Sequence, residues 1–469
     1  MKRRIVAFLM SMMLGITCVQ PGTLLKPVQV QASKKKVKLN RKKVTLKIGE
    51  KIKLKLKNAK AKKVKWKSSN KKIATVKKGV VKAKRPGKVK ITAKYKKKKY
   101  KATVNIKVKN SYCLNGLKRA TLMLDGLDEG KNIIVSPTSL NIVLGMVANA
   151  ADDKGKTEIE KYLGKNIDSI NKKFNNLMTR SLNDKMLNLN NCVWYKNGKT
   201  INNTYKNVLE KNYFSEFKNI DMKAEDADII NKWVADKTEN MIKKIVDEKD
   251  ISSLDLRAII INALMFNGEW TEKIEGPNRK EDFTKFSGDK YKAEMMISSE
   301  RTYYENKYAT AFEKTYGDDK EYSFIGILPK KKGKFKMADL ELESLINSKT
   351  NEYKVDITLP RFESDWNKNL NDMLRNNGIN QIFNFKTNAL PNLFEKSIES
   401  IYISDVIQSC NIKVDNNGTK AAAVTVAYAK CTSMAFVKRK TVELNRPFAY
   451  MIVDNKTKDI LFIGKYLGK

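Results

Sequence analysis

The sequence predicts two units of different class, a small all-β sandwich followed by a large α+β domain. Three observations carry that prediction. Charge changes abruptly along the chain: residues 33–109 hold 34 Lys or Arg and a single acid, Glu50, for a net +33, while residues 110–469 hold only +7 of the total +44. Within the basic stretch, apolar residues alternate with lysine at period two, the pattern of strands buried on one face. Beyond it, apolar residues recur at helical spacing between short strand-like runs. A chain of 469 residues also exceeds one ordinary core, so length alone argues for more than one domain.

The first segment, "MKRRIVAFLMSMMLGITCVQPGTLLKPVQVQAS", has a basic start, an apolar stretch over residues 5–16 and a small-residue exit at Val30, Gln31 and Ala32. It reads as a signal peptide, residues 1–32, removed after Ala32. The expected location is therefore extracellular, secreted or associated with the cell surface. Thr17 is a poor residue to precede a lipid-bearing Cys18, so a lipid anchor is not expected. No run reaches the ~20 apolar residues that a membrane helix needs. Loss of the leader removes one of five cysteines and leaves Cys113, Cys192, Cys410 and Cys431. Four would allow two disulfides, but their wide scatter gives no framework, and free thiols are expected.

In residues 33–109 the stretch "KVTLKIGEKIKLKLKN" places Val44, Leu46 and Ile48, then Ile52, Leu54 and Leu56, on one face. Further short strands fit residues 64–66, 73–76, 80–81, 89–93 and 102–108, separated by turn residues such as Ser68-Ser69-Asn70 and Pro86-Gly87. Short strands at this spacing make a small sandwich. The run "VKWKSSNKKIATVKKGVVKAKRPGKVKITAKY" resembles the bacterial immunoglobulin-like domain, group 2, in its Trp66-x-Ser68-Ser69-Asn70, Ala74-x-Val76 and Gly79-x-Val81 steps and its glycine before "ITA". The resemblance implies an extracellular spacer or adhesion module. Its lysines have two readings. One is a soluble spacer whose charged outward positions keep strand edges apart. The other is a face for a polyanion, such as a cell-wall polymer or acidic glycan. The lysines are not interleaved with aromatics for base stacking, so specific nucleic-acid binding is not expected.

The chain contains no histidine. This removes the general base of Ser/His/Asp and Cys/His hydrolases together with imidazole metal ligands, so an enzyme of those kinds, a metal site and a cofactor are not expected. The carboxylates Asp247, Glu248 and Asp250 could serve acid/base work but read better as a solvated loop. In residues 110–469, Ile230, Trp233, Val234, Met241, Ile242 and Ile245 fall on one helical stripe. The Asn-Gly pairs at Asn197, Asn267 and Asn377 mark turns or helix ends. Strands are expected in "NNCVWYKNG", "AIIINALMFNG", "SFIGILP", "VDITLPRF", "AYMIVDN" and "DILFIGKYL".

These segments, in this order, resemble the serpin superfamily. "NIIVSPTSLNIVLGMVANAADDKGKTEIEKYLG" carries Asn132, Ser136, Pro137 and Ser139 of the family's Ser-Pro-x-Ser helix, with Thr157 opening the next helix. "INKWVADKTENMIKKI" matches the helix that crosses the main sheet, and "INALMFNGEW" the strand bearing the family's Asn and Trp, here Asn262 and Trp270. The resemblance spans residues 111–469. It implies a serpin fold: three β-sheets, about nine helices and an exposed reactive loop, acting as a monomer on a target protease.

The resemblance also places the reactive loop on "GTKAAAVTVAYAKCTSMAF", residues 418–436. There Thr419, Ala421, Ala423, Thr425, Ala427, Ala429 and Cys431 are all small. The hinge is then Gly418, Thr419, Lys420, Ala421, Ala422, Ala423, Val424 and Thr425. Insertion of the cut loop as a new strand explains the pattern, because alternate side chains must slide beneath a packed sheet. A helix is disfavoured by Val424, Thr425 and Val426, and an ordinary edge strand would carry larger inward residues. The family count from Gly418 sets the cut bond between Thr432 and Ser433, with the neighbouring bonds on either side as alternatives. Thr before the cut suits a serine protease with a small primary pocket, elastase-like or subtilisin-like. Two departures stand out: Asn416 replaces the family's Glu and loses an anchor, and Gln408 replaces the usual shutter His, where it is expected to bond near Asn262. The expected function is suicide inhibition of a serine protease. The alternatives are a non-inhibitory binding or adhesion protein of the same fold, or an inhibitor of papain-like cysteine proteases.

Overall fold

Alternation of apolar and basic residues decides the first unit. The computed structural model describes residues 36–47, 50–84, 87–107, 114–252, 255–396, 399–419 and 438–469, and the chain divides into compact units Met1–Lys107 and Val108–Lys469. In the first, β1 (Lys43–Lys47), β2 (Lys51–Lys53), β3 (Lys65–Ser68), β4 (Ala74–Lys77), β5 (Val80–Ala83), β6 (Gly87–Tyr95) and β7 (Lys98–Lys107) form two sheets, ordered β1-β7-β6-β3 and β2-β5-β4. Their inward residues Val44, Leu46, Val81, Ala83, Val89, Ile91, Val104 and Ile106 share one core. The lysines between them point out because each strand has period two. Ile48 and the end of the expected last strand lie outside the described residues.

The second unit has a core of its own and nine α-helices among the described residues. The buried helix α1 (Pro137–Ala150) starts where Ser136 accepts from the Ser139 amide and Pro137 supplies a pre-set first turn. The following helix, Asp153–Leu163, is capped by Asp152. Thr157 therefore lies one turn inside that helix, because the Asp152 side chain reaches the Gly155 amide first.

The main sheet lies in two parts. Strands β8 (Leu187–Lys196), β9 (Ser215–Ile220) and β10 (Ala258–Phe266) form one part, ordered β9-β8-β10. The short β11 (Gly268–Glu269), with β12 (Phe362–Asn369), β13 (Ile407–Val414) and β14 (Gly418–Thr419), forms the other, ordered β11-β14-β13-β12. A six-stranded sheet and a four-stranded sheet complete the unit, which gives the three sheets expected once the two parts of the main sheet are counted together. All six strand-like runs of the sequence are strands.

The helical stripe is shorter than expected. Helix α2 (Asp226–Lys237) stops because Glu239 and Asn240 take left-handed φ of 47° and 61°. Beyond that turn, Asn231 Oδ1 accepts from the Ile245 and Val246 amides at 2.8 and 3.2 Å. Ile242 and Val246 thereby join Ile230, Trp233 and Val234 on the cluster that covers Cys192, Trp194 and Ile261. Asp247 and Asp250 build a reciprocal cap on a four-residue helix, so the carboxylates have a structural role. Cys192 and Cys410 are free and buried, and burial pushes each thiol up to about 12. Cys113 and Cys431 lie outside the described residues. No helix among the described residues is long and apolar enough to cross a membrane.

Candidate functional site

Two strands that a continuous sheet would join stand apart. Strand β10 ends one part of the main sheet and β13 belongs to the other, with no ladder between them. A cavity of about 310 Å³ occupies this seam, lined by Ile260 and Asn262 on one side, Gln408 and Ser409 on the other, and Leu140 and Val143 of α1. At one end of the seam the parts are bridged. The pair β11 and β14 sets Gly268 opposite Thr419 and Glu269 opposite Gly418, while Thr419 also pairs with Val414 of β13.

The first two hinge residues are therefore already strand. Both are buried, Thr419 to 1 % exposure. The strands approach closely here: a Cβ on Gly418 would sit 2.0 Å from the Gly268 carbonyl oxygen, and a Cβ on Gly268 would sit 2.5 Å from the Phe266 ring. Only glycine fits at either position. Lys420, Ala421, Ala422, Ala423, Val424 and Thr425, with Thr432 and Ser433, lie outside the described residues.

Trp270 organises this end. Its indole Nε1 donates to the Asp415 carbonyl at 2.9 Å and its amide to the Asn417 carbonyl at 2.8 Å. Its ring stacks on Tyr316 with centroids 4.2 Å apart and planes 17° apart. The Tyr316 hydroxyl meets the Thr419 hydroxyl at 2.7 Å, and burial raises the phenol well above its ordinary pKa, so it stays a neutral hydrogen-bonding group. Over the indole also lies Lys314, whose Nζ is 5.5 Å from the Trp270 ring centroid and 2.8 Å from Glu300. Lys314 is 1 % exposed. Burial raises the Glu300 carboxyl, and the Lys314 charge opposes that rise without cancelling it.

Asn416 keeps an anchor that its residue type had put in doubt. Its side-chain amide donates to the Ile274 carbonyl at 3.3 Å and to Asn278 at 2.9 Å. Asp415 adds a second tie, accepting from the Asn417 amide at 2.8 Å.

At the middle of the seam Gln408 does not reach Asn262 as expected. It makes a two-point contact with the Ser136 backbone, donating to the carbonyl and accepting from the amide, each at 2.9 Å. A planar amide matches a backbone donor and acceptor on one residue, which explains the choice. Ser136 Oγ in turn donates to the Leu461 carbonyl, and the Ser139 amide donates to Ser136 Oγ in the cap. Asn262 Nδ2 donates to Asn191 at 2.9 Å, and its buried Oδ1 has no partner among the described residues. The sequence reading missed Gly268, Asn191, Lys314 and Tyr316. Only Gly268 left a signal, as half of an Asn-Gly pair.

Residues 119–468 match the family model described as serpin (serine protease inhibitor), and residues 34–106 match that of the bacterial Ig-like domain (group 2). Human neuroserpin is 27 % identical over 364 residues, covering 72 % of this chain and 86 % of its own. An uncharacterised serpin-like protein of Thermococcus kodakarensis is 29 % identical, covering 72 % of this chain and 80 % of its own. Among solved structures, the thermophilic serpin tengpin in its native state is 29 % identical with a TM-score of 0.65, covering 75 % of this chain and 92 % of its own. The parted main sheet, the glycine hinge at one end of the seam and the match over three quarters of the sequence lead to one assignment: the chain belongs to the serpin family of protease inhibitors and carries an N-terminal bacterial immunoglobulin-like domain.

Proposed function

We propose that the chain is an exported suicide inhibitor of a serine protease, and that residues 110–469 alone carry this activity. The protease serine attacks the Thr432 carbonyl, the Thr432–Ser433 bond breaks, and Ser433 leaves with a free amine while Thr432 stays esterified to the enzyme. The cut loop then enters the seam between β10 and β13 and drags the acylated enzyme with it before water can release it. The single observation that carries this reading is the seam itself: two unpaired strand edges with Gly418 and Thr419 already seated at one end.

The chemistry of insertion follows from that geometry. A new strand between β10 and β13 would form two ladders at once and bury its side chains over α1. Thr419, Ala421, Ala423 and Thr425 would face the packed side. Ser136, Pro137, Ser139, Asn262, Trp270 and Gln408 hold the edges that must part. Thr before the cut bond favours an elastase-like or subtilisin-like target.

Incubation with elastase-like and subtilisin-like serine proteases tests the proposal. The expected product is a complex that survives SDS, of mass equal to inhibitor plus protease less the released C-terminal peptide. Clean cleavage with no complex for any of them would overturn it and leave the non-inhibitory reading. A complex formed only with papain-like enzymes would move the target class.

A further inference from the structure

We propose that the outer face of the four-stranded sheet in the first unit binds a flexible phosphodiester polymer built on a linear polyol, of the poly(glycerol phosphate) kind. Three strands set like charges side by side. Lys65 of β3 stands opposite Lys94 of β6, and Lys94 stands opposite Lys99 of β7. Residues in such register have Cβ atoms about 4.5–5.5 Å apart, and like charges there destabilise a sheet. A surface that served solubility alone would alternate sign across strands and gain stability. This one does the opposite over two successive pairs that join three strands, where the other sheet has the one pair Lys51–Lys82 among its described registers.

The neighbouring rows continue the pattern. Lys67 and Lys101 flank Thr92, and Lys90 and Lys43 flank Thr103. All of these lysines are exposed. The one carboxylate in residues 36–107, Glu50, precedes β2 in the other sheet. The face is thus a lattice of ammonium groups interleaved with hydroxyl donors, without a carboxylate of its own.

What the face lacks chooses the partner. The three aromatic side chains of residues 36–107 are Trp66, Tyr95 and Tyr100, and all three pack against the inner core. No ring remains on the outer face for a base or a sugar to stack on. Lysine is a compact, strongly hydrated charge without the planar fork by which arginine fixes a carboxylate in two-point geometry. Recognition by closely spaced lysines and hydroxyls therefore reads charge density and phosphate oxygens, not rings. A phosphate chain on a flexible polyol supplies those groups and little else.

The full chain is the test material, with binding to poly(glycerol phosphate) measured from 0.05 to 0.3 M NaCl. The variant K65Q/K94Q/K99Q is compared with K51Q/K53Q/K82Q, which removes the same charge from the other sheet. Each phosphate neutralised contributes roughly 0.7–0.9 to the salt slope. The first variant is expected to lose about tenfold or more in affinity and about two units of slope, and the second less than threefold. Equal losses would overturn the assignment to this face. Polygalacturonate or poly(dT) binding as tightly as the polyol phosphate at equal charge would overturn the partner. The single variant K94E separates binding from folding, because it converts two repulsive pairs into attractive ones. It should slow amide exchange in β3, β6 and β7 while weakening polymer binding about tenfold, and unchanged binding with the same gain in protection would also overturn the proposal.

Discussion

The hydroxyls of Tyr316 and Thr419 meet at 2.7 Å in a fully buried contact that ties the loop hinge to a strand outside the main sheet. Neither hydroxyl has water to fall back on, so each depends on the other. Tyr316→Phe should cost about 1–2 kcal/mol, because it leaves the Thr419 hydroxyl buried without that partner. Amide exchange at Gly418 and Thr419 should rise by roughly the matching factor of about ten. The double variant Tyr316→Phe with Thr419→Val removes both groups and should regain most of the loss. A double variant no more stable than Tyr316→Phe would show that the contact does not hold the hinge.

Thr419→Arg tests insertion itself. The site is 1 % exposed and bounded by β11 and β13, so a bulky guanidinium there would be both desolvated and crowded. The variant should still be cut near Thr432 but release active protease, scored as cleaved chain without SDS-stable complex. Wild-type complex yield in this variant would count against insertion as the trapping step.

How much of this was legible from sequence depends on the kind of residue. Small size repeating at period two is a local pattern that a sequence displays directly, but beyond Thr419 the loop track lies outside the described residues. Ser136, Pro137 and Trp270 could be placed because the family resemblance fixes their order along the chain. Partner choice was not legible. Gln408 bonds Ser136, 272 positions away, and nothing in its neighbours distinguishes that from a bond to Asn262. Asn416 looked like a lost anchor because its acceptors, Ile274 and Asn278, lie far along the chain. The stripe through Met241, Ile242 and Ile245 was overread as helix because residues after a left-handed turn can return to the same core without continuing the helix.

Gln408→Ala should destabilise the native protein by about 2 kcal/mol, since it removes two hydrogen bonds and strands the buried Ser136 amide. Asn262→Leu should cost less, because it removes one hydrogen bond, to Asn191, rather than two, and the acceptor it deletes has no partner among the described residues. Urea unfolding of the two variants gives the order. The reverse order would mean that Asn262, not Gln408, holds the middle of the seam.

Beneath Trp270 the ion pair of Lys314 and Glu300 is asymmetric. Glu300→Gln takes from a buried ammonium the carboxylate that it contacts at 2.8 Å and should cost roughly 3 kcal/mol. Lys314→Met should cost less at neutral pH, because burial has already raised the Glu300 carboxyl and made protonation easier. Glu300→Gln with Lys314→Met should fall near wild type. Equal losses for the two single variants in thermal melts would refute the asymmetry.

Acid stability should rest on carboxylates of the opposite kind. Asp454 is buried, which alone would raise its pKa, but hydrogen bonding and charge from Arg180 hold it below the ordinary range. Such a group stabilises the native state above the ordinary carboxylate pKa and loses that contribution as pH falls through its folded value. Tm should therefore drop as pH falls below about 4, and Asp454→Asn should lower Tm at neutral pH while flattening that drop. Glu300 has the reverse sign: its contribution weakens as pH rises through its raised value. An Asp454→Asn variant with an unchanged acid limb would place acid sensitivity elsewhere.

Cleavage near Thr432 should raise stability, which no ordinary surface cut does. In the intact chain the edges of β10 and β13 share no ladder and a cavity of about 310 Å³ lies between them. A strand entering there would pair on both sides, fill that space over α1 and order a segment that is already seated at Gly418 and Thr419. Each new hydrogen bond contributes on the order of 1 kcal/mol net, and each 1 kcal/mol moves the Tm of a large domain by about 2–4 °C. Even after the ordering entropy of the entering residues is subtracted, a single cut should raise Tm by roughly 10 °C or more. The same cut in Thr419→Arg should raise it far less, because the seated residue from which the entering strand must continue no longer fits between β11 and β13. A cut wild-type chain that melts no higher than the intact one would mean that the seam does not accept the loop, and the inhibitory reading would fail with it.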